Sequence, residues 1–265
     1  MTAADRLGET FAGLAARGEK GLITYLTAGD PDLETTVRLA ETMEQAGADV
    51  IELGIPFSDP VADGPTIQKA SYRALSKGVR VAAILRAAAR LRSRVRAPLI
   101  LMTYYNPVFQ YGLEKFARDA AEAGVDGLIV PDLPLEEAGP LLAAADSCRL
   151  ALVPLAAPTT TESRFQKIVA IARGFIYCVA VTGVTGARER TDPDLGRLTG
   201  LARKYTRLPV AVGFGLAGPA QAAQTAAFCD AVVVGSAIVR LIAGQGPGAA
   251  EAVGKFVREL KSALN

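Results

Sequence analysis

EQAGADVIELG (Glu44–Gly54) returns in outline as EAGVDGLIVPD (Glu122–Asp132) and as AAFCDAVVVGS (Ala226–Ser236). Each copy reads as a helix end, an acidic residue and then an apolar strand. One βα unit reused around a closed sheet leaves this kind of echo. Working outward, short apolar runs rich in β-formers fall at Leu22–Thr27, Val50–Leu53, Pro98–Met102, Gly127–Val130, Leu150–Pro154, Phe175–Val179, Pro209–Val212 and Ala231–Val234. Each is followed by a segment able to form a helix, and the runs lack polar alternation, as in parallel strands covered on both faces. Eight units in about 250 residues predict a TIM (β/α)8 barrel, with an open doubly wound sheet as the alternative. Residues 2–17 read as an extra N-terminal helix capping the barrel. No linker or composition break divides the chain, so residues 1–265 are expected to form one domain.

Composition narrows the function. The 265 residues carry 29 Lys and Arg against 27 Asp and Glu, scattered along the chain, which argues against nucleic acid as a partner. The densest basic stretch, RAAARLRSRVR (Arg86–Arg96), reads as the solvated face of an Ala-rich helix. Three cysteines (Cys148, Cys178, Cys229) show no metal-ligand spacing, and the N-terminus lacks a secretory h-region. A cytoplasmic protein is expected, or one of the plastid stroma were the source a plant.

The chain has no histidine, so proton transfer must fall to carboxylates, Tyr, Lys, Cys or water. Glu52 interrupts an apolar strand, and the loop after it holds Pro56, Pro60 and Pro65 with Asp59 and Asp63. A TIM barrel places its active site at the C-terminal ends of the strands. Burial there should raise the pKa of Glu52, while Asp63 in its looser loop stays ionised, so that the two divide acid and base roles. A structural pairing of Glu52 with an arginine or a backbone amide is the competing explanation. Asp132 follows the fourth strand. Glycines close three consecutive strands, in TGVTG (Thr182–Gly186), GFG (Gly213–Gly215) and GSAI (Gly235–Ile238), a pattern that suits backbone binding of phosphate. Tyr25, Leu101, Tyr104, Tyr105 and Tyr177 could wall a flat, mostly apolar ligand. No metal cluster or GxGxxG after the first strand appears, and no cofactor is expected in this chain.

ITYLTAGDPD (Ile23–Asp32), IELGIPFSDPVADGPTIQ (Ile51–Gln68), YNPVFQYG (Tyr105–Gly112), GLIVPDLPLEE (Gly127–Glu137) and TGVTGAR (Thr182–Arg188), with VGFG and GSAIV, resemble the tryptophan synthase α subunit family in order along nearly the whole chain. The resemblance implies a TIM barrel and retro-aldol cleavage of indole-3-glycerol phosphate to indole and glyceraldehyde 3-phosphate. It implies Glu52 as the proton donor to indole C3 and Asp63 as acceptor of the indole N–H. Gly186, Gly215, Gly235 and Ser236 match the phosphate site, while Tyr25, Leu101 and Tyr177 match pocket positions. Thr185 matches the threonine of a closing loop. It further implies an αββα complex with a pyridoxal-phosphate β subunit that receives the indole, with Phe57 and Asp59 on the partner-facing loop. One departure is Ala180-Val181, where the family commonly has Ser-Arg.

Overall fold

A computed structural model describes residues 3–179, 193–213 and 215–265. Helix α1 (Ala3–Arg17) precedes strand β1 (Gly21–Thr27), followed by α2 (Leu33–Gln45), β2 (Val50–Gly54), α3 (Pro65–Ser76) and α4 (Val81–Arg92). Next come β3 (Leu99–Met102), α5 (Tyr105–Tyr111), α6 (Leu113–Glu122), β4 (Gly127–Ile129) and α7 (Gly139–Ser147). The second half runs through β5 (Ala151–Leu152), β6 (Leu155–Ala156), α8 (Glu162–Ile171), β7 (Ile176–Val179), α9 (Pro193–Tyr205) and β8 (Val210–Gly213). It ends with α10 (Pro219–Ala226), β9 (Ala231–Val234), α11 (Ser236–Gln245) and α12 (Ala250–Ala263).

The strands are parallel, in the order β5-β4-β3-β2-β1-β9-β8-β7-β6. The two ends of that order are consecutive pieces of one run. Its first half pairs with β4 and its second with β7, so the sheet returns on itself as a TIM-barrel-like fold. The fifth expected strand, Leu150–Pro154, is thus found as the short β5, with a second strand, β6, just past its end. Val153 still donates to the Leu128 carbonyl, but Pro154 has no N–H and contributes only its carbonyl, which accepts from Tyr177.

Side chains alternate between two cores. Ile23, Val50, Ile100, Ile129, Val153, Phe175 and Val233 fill the barrel interior, and Leu7, Phe11 and Leu14 of α1 pack into its base. Leu22, Leu53, Leu99, Leu128, Ile176 and Val232 face the surrounding helices instead. The interior of the barrel is therefore a packed core with a helix for its floor.

The repeated acidic residue has one structural job in all three copies. The Asp49 carboxylate accepts the Leu22 N–H at 2.7 Å while its own N–H donates to the Leu22 carbonyl at 2.8 Å. Asp126 makes the same pair with Leu99 (2.8 and 2.7 Å), and Asp230 with Val210 (2.8 and 2.8 Å). Each clasp ties the base of one strand to the base of its neighbour. A cation sits on each: Lys261 at 2.8 Å from Asp49, Arg6 at 2.7 Å and Arg92 at 3.5 Å from Asp126, and Arg203 at 3.6 Å from Asp230. Arg92 thereby departs from the solvated face expected of the basic stretch, since α4 turns it down onto Asp126 and the carbonyls of Val95 and Ala97. Arg90 and Arg94 stay on the exposed side, against Glu34 and Glu41.

The Asp126 side chain is fully buried, whereas that of Asp230 is 37% exposed. Asp126→Ala strands a buried N–H and two arginines, so it should cost about 2–3 kcal/mol in urea unfolding, and Asp230→Ala about 1 kcal/mol.

Candidate active site

Glu52 faces the barrel interior because β2 alternates Val50, Glu52 and Gly54 inward with Ile51 and Leu53 outward. It is 1% exposed, and its Oε2 is buried without a hydrogen-bond partner among the described residues. The structural pairing with an arginine or amide is therefore not what holds that oxygen. Burial, with Asp63 nearby, pushes the Glu52 carboxyl up from 4.5 to about 8. Sequence reasoning anticipated that direction. Asp63 departs from expectation: its carboxyl is also raised, to about 6, because the loop folds it partly inward, while the Tyr104 hydroxyl pulls the other way.

The loop carrying Asp63 is pinned from β3. The Ala62 N–H donates to the Tyr104 hydroxyl at 2.9 Å, and Tyr104 packs on Phe57 with ring centroids 5.3 Å apart. Tyr104 was legible only as one of several aromatic residues, and its grip on the loop is a tertiary result. Phe57 is half-buried against that ring, whereas Asp59 is exposed and accepts from Ser58. Below the loop, α3 is held by Arg73, which makes a two-pronged ion pair (2.9 and 2.6 Å) with buried Asp30 after β1. Asp132 is occupied elsewhere, accepting the Tyr105 N–H at the start of α5.

Two tyrosines line the interior beside the carboxylates. Tyr25 is the register partner of Glu52, and its ring lies over Gly54, where a Cβ would stand 2.7 Å from Cε2 and overlap the hydroxyl. Tyr177 of β7 does the same across the β7–β8 pair, leaning over Gly213, where a Cβ would sit 3.0 Å from its Cζ. Leu101 does not share this pocket. It is buried in the outer layer with Leu53 and Leu128, because alternation in β3 turns Ile100 and Met102 inward. Met102 packs beside Tyr25 and is the residue that Leu101 was expected to be.

Gly215 (φ 72°) follows β8, and Gly235 with Ser236 opens α11 after the neighbouring β9. No side chain caps that helix, which leaves its first N–H groups to face the mouth. Thr185, Gly186 and the Ala180-Val181 departure lie outside the described residues. Among the described residues no three of Cys, Asp and Glu converge as a metal cage requires, and no helix is long and apolar enough to cross a membrane. A separate cleft of about 490 Å³ opens on the same rim, lined by residues including Asp132, Pro154, Thr160 and Arg164. It does not include Glu52 or Asp63.

The arrangement offers a neutral buried acid, a second carboxyl at the rim and backbone donors across the mouth, which suits proton-coupled bond cleavage in a molecule carrying a phosphate. The family profile described as tryptophan synthase alpha chain matches residues 11–264. A tryptophan synthase alpha chain from Citrifermentans bemidjiense is 51% identical over 260 residues, covering 98% of this chain and 97% of its own. The crystal structure of tryptophan synthase subunit alpha from Legionella pneumophila superposes with a TM-score of 0.91 at 38% identity, covering 98% of each chain. An aminoacrylate-bound form of tryptophan synthase from M. tuberculosis gives 0.89 at 37% identity, over 98% of this chain and 99% of that one.

Glu52 binds its proton more tightly in the folded chain than in the unfolded one. From about pH 4.5 to about pH 8 stability should therefore fall as pH rises. Glu52→Gln should raise the unfolding temperature by roughly 5 °C at about pH 9 and leave it nearly unchanged at about pH 5, read by calorimetry.

Proposed function

This chain belongs to the tryptophan synthase alpha chain family, the carbon–carbon lyase that acts on indole-3-glycerol phosphate in tryptophan biosynthesis, and we propose that Glu52 and Asp63 carry its chemistry. The observation behind this assignment is the buried carboxyl of Glu52, whose Oε2 has no hydrogen-bond partner among the described residues and whose proton is held up to about pH 8 by burial with Asp63 nearby. Glu52 gives its proton to indole C3, and the positive charge that develops on the ring nitrogen is balanced by the Asp63 carboxylate accepting the N–H. The bond from C3 to the hydroxyl-bearing glycerol carbon then breaks, its electron pair restoring the indole ring. The glycerol hydroxyl becomes the aldehyde of glyceraldehyde 3-phosphate and returns its proton to Glu52. The acid is regenerated, and neither metal nor histidine is needed.

Gly215, Gly235 and Ser236, with Gly186, hold the phosphate through backbone donors and the Ser236 hydroxyl. Tyr25, Met102 and Tyr177 pack the indole, and Thr185 belongs to the loop that closes over it. Membership of the family implies a beta-subunit partner. The finer reading is an αββα tetramer in the cytoplasm, with pyridoxal phosphate in the β subunit. Exposed Asp59 and half-buried Phe57 face that partner, and residues 1–265 act as one domain.

Two sets of variants test this. Glu52→Gln should lower indole release from indole-3-glycerol phosphate by at least about a thousandfold, and a tenth of wild-type turnover would remove Glu52 from the proton path. The wild-type rate should follow a bell, falling below about pH 6 as Asp63 takes up a proton and above about pH 8 as Glu52 loses one. Gly215→Val places a side chain at a positive-φ position facing the phosphate, so it should raise KM about tenfold or more. An unchanged KM would move the phosphate site elsewhere.

A further inference from the structure

Once Glu52 has given up its proton, a carboxylate stands inside an apolar barrel with one oxygen that the described residues leave without a donor. Such a charge is costly unless a hydrogen bond reaches it. The groups facing Glu52 are Tyr25 and Thr27 from β1, Ile100 and Met102 from β3, Tyr177 from β7 and Asp63 from the loop after β2. No lysine or arginine occurs in these strands. Among these groups the phenols are the strongest hydrogen-bond donors.

Of the two, Tyr25 is the better placed. It is the cross-strand register partner of Glu52, and its hydroxyl lies over Gly54, the next inward position above Glu52 on β2. Its other flank rests on Gly235, where a Cβ would come within 3.2 Å of the Tyr25 Cβ and Cδ1, and Ala70 of α3 and Val239 of α11 pack against it. The ring is wedged between Gly54 of β2 and Gly235 just past β9. Its hydroxyl makes one bond among the described residues, a long 3.3 Å contact with Thr27 Oγ1 that can be exchanged. Burial and both carboxylates hold the phenol well above its ordinary pKa, so it remains a donor.

We propose that Tyr25 is a positioning residue of the lyase reaction, its hydroxyl turning from Thr27 to donate to the Glu52 carboxylate formed when the proton leaves. This deepens the assignment of Glu52 as the acid and rests on it. The bond forms only in the ionised state, so it acts on the proton transfer more than on substrate binding.

The test measures kcat and KM for indole release against pH for wild type, Tyr25→Phe and Glu52→Gln, each assembled with the β subunit. Phe keeps the wedge and deletes the donor. The expected result is a kcat about tenfold lower, a KM within about twofold, and an alkaline limb displaced upward by about half a unit or more, since the carboxylate has lost its donor. An alkaline limb that stays in place overturns the proposal, whether or not kcat falls. Thr27→Val serves as the second variant: freeing the phenol for Glu52 should move the limb downward, and an unmoved or raised limb there counts against it equally. If Glu52→Gln retains turnover, the acid assignment itself fails. If Glu52→Gln is inactive and the Tyr25→Phe limb is unmoved, only the role of Tyr25 fails.

Discussion

Strand register is the constraint on which everything at the mouth depends, and it is set at the opposite end of the barrel. Three aspartates clasp the base of one strand to the next through a pair of hydrogen bonds, each with a cation alongside. A slip of one residue in β2 would send Glu52 to the helix layer and Ile51 or Leu53 into the interior. The clasp at Asp49 is thus what brings Glu52 level with Tyr25, three residues up the strand. Stability residues gather at the base, and chemistry gathers at the rim, as the direction of the strands requires.

At the rim, space is as tightly governed as charge. Gly54 and Gly213 give their neighbours room: each ends a strand on the inward face, and each lies under a tyrosine from the strand before. Burial raises both carboxyls above their usual range, and for Glu52 the nearby Asp63 adds to it. The same burial that destabilises the ionised Glu52 keeps its proton on near neutrality, as the proposed acid role requires, at a cost in folding.

The loop after β2 joins this site to the outer surface. Its inner side carries Asp63 and is anchored on Tyr104, and its outer side exposes Asp59, Val61 and Pro65. Tyr104, packed on the loop's own Phe57, braces it from the end of β3, and the Asp30–Arg73 pair ties the following α3 to the end of β1.

Much of this was legible in the residues themselves. Apolar runs at regular intervals specify parallel strands, and a carboxylate within such a run marks the site, because few side chains are so costly to bury without use. The repeated aspartate was visible as a pattern, though its hydrogen bonds were not, since they join residues 20 to 27 positions apart. Which of Leu101 and Met102 faces the pocket could not be read from an all-apolar strand, where both faces look alike and only pairing with β2 decides. The split at Pro154, the inward turn of Arg92 and the raised carboxyl of Asp63 came from the same source. Sequence determines which groups are present and how often the chain alternates; closure of the barrel decides which of them meet, because register, burial and dielectric exist only once distant strands lie side by side.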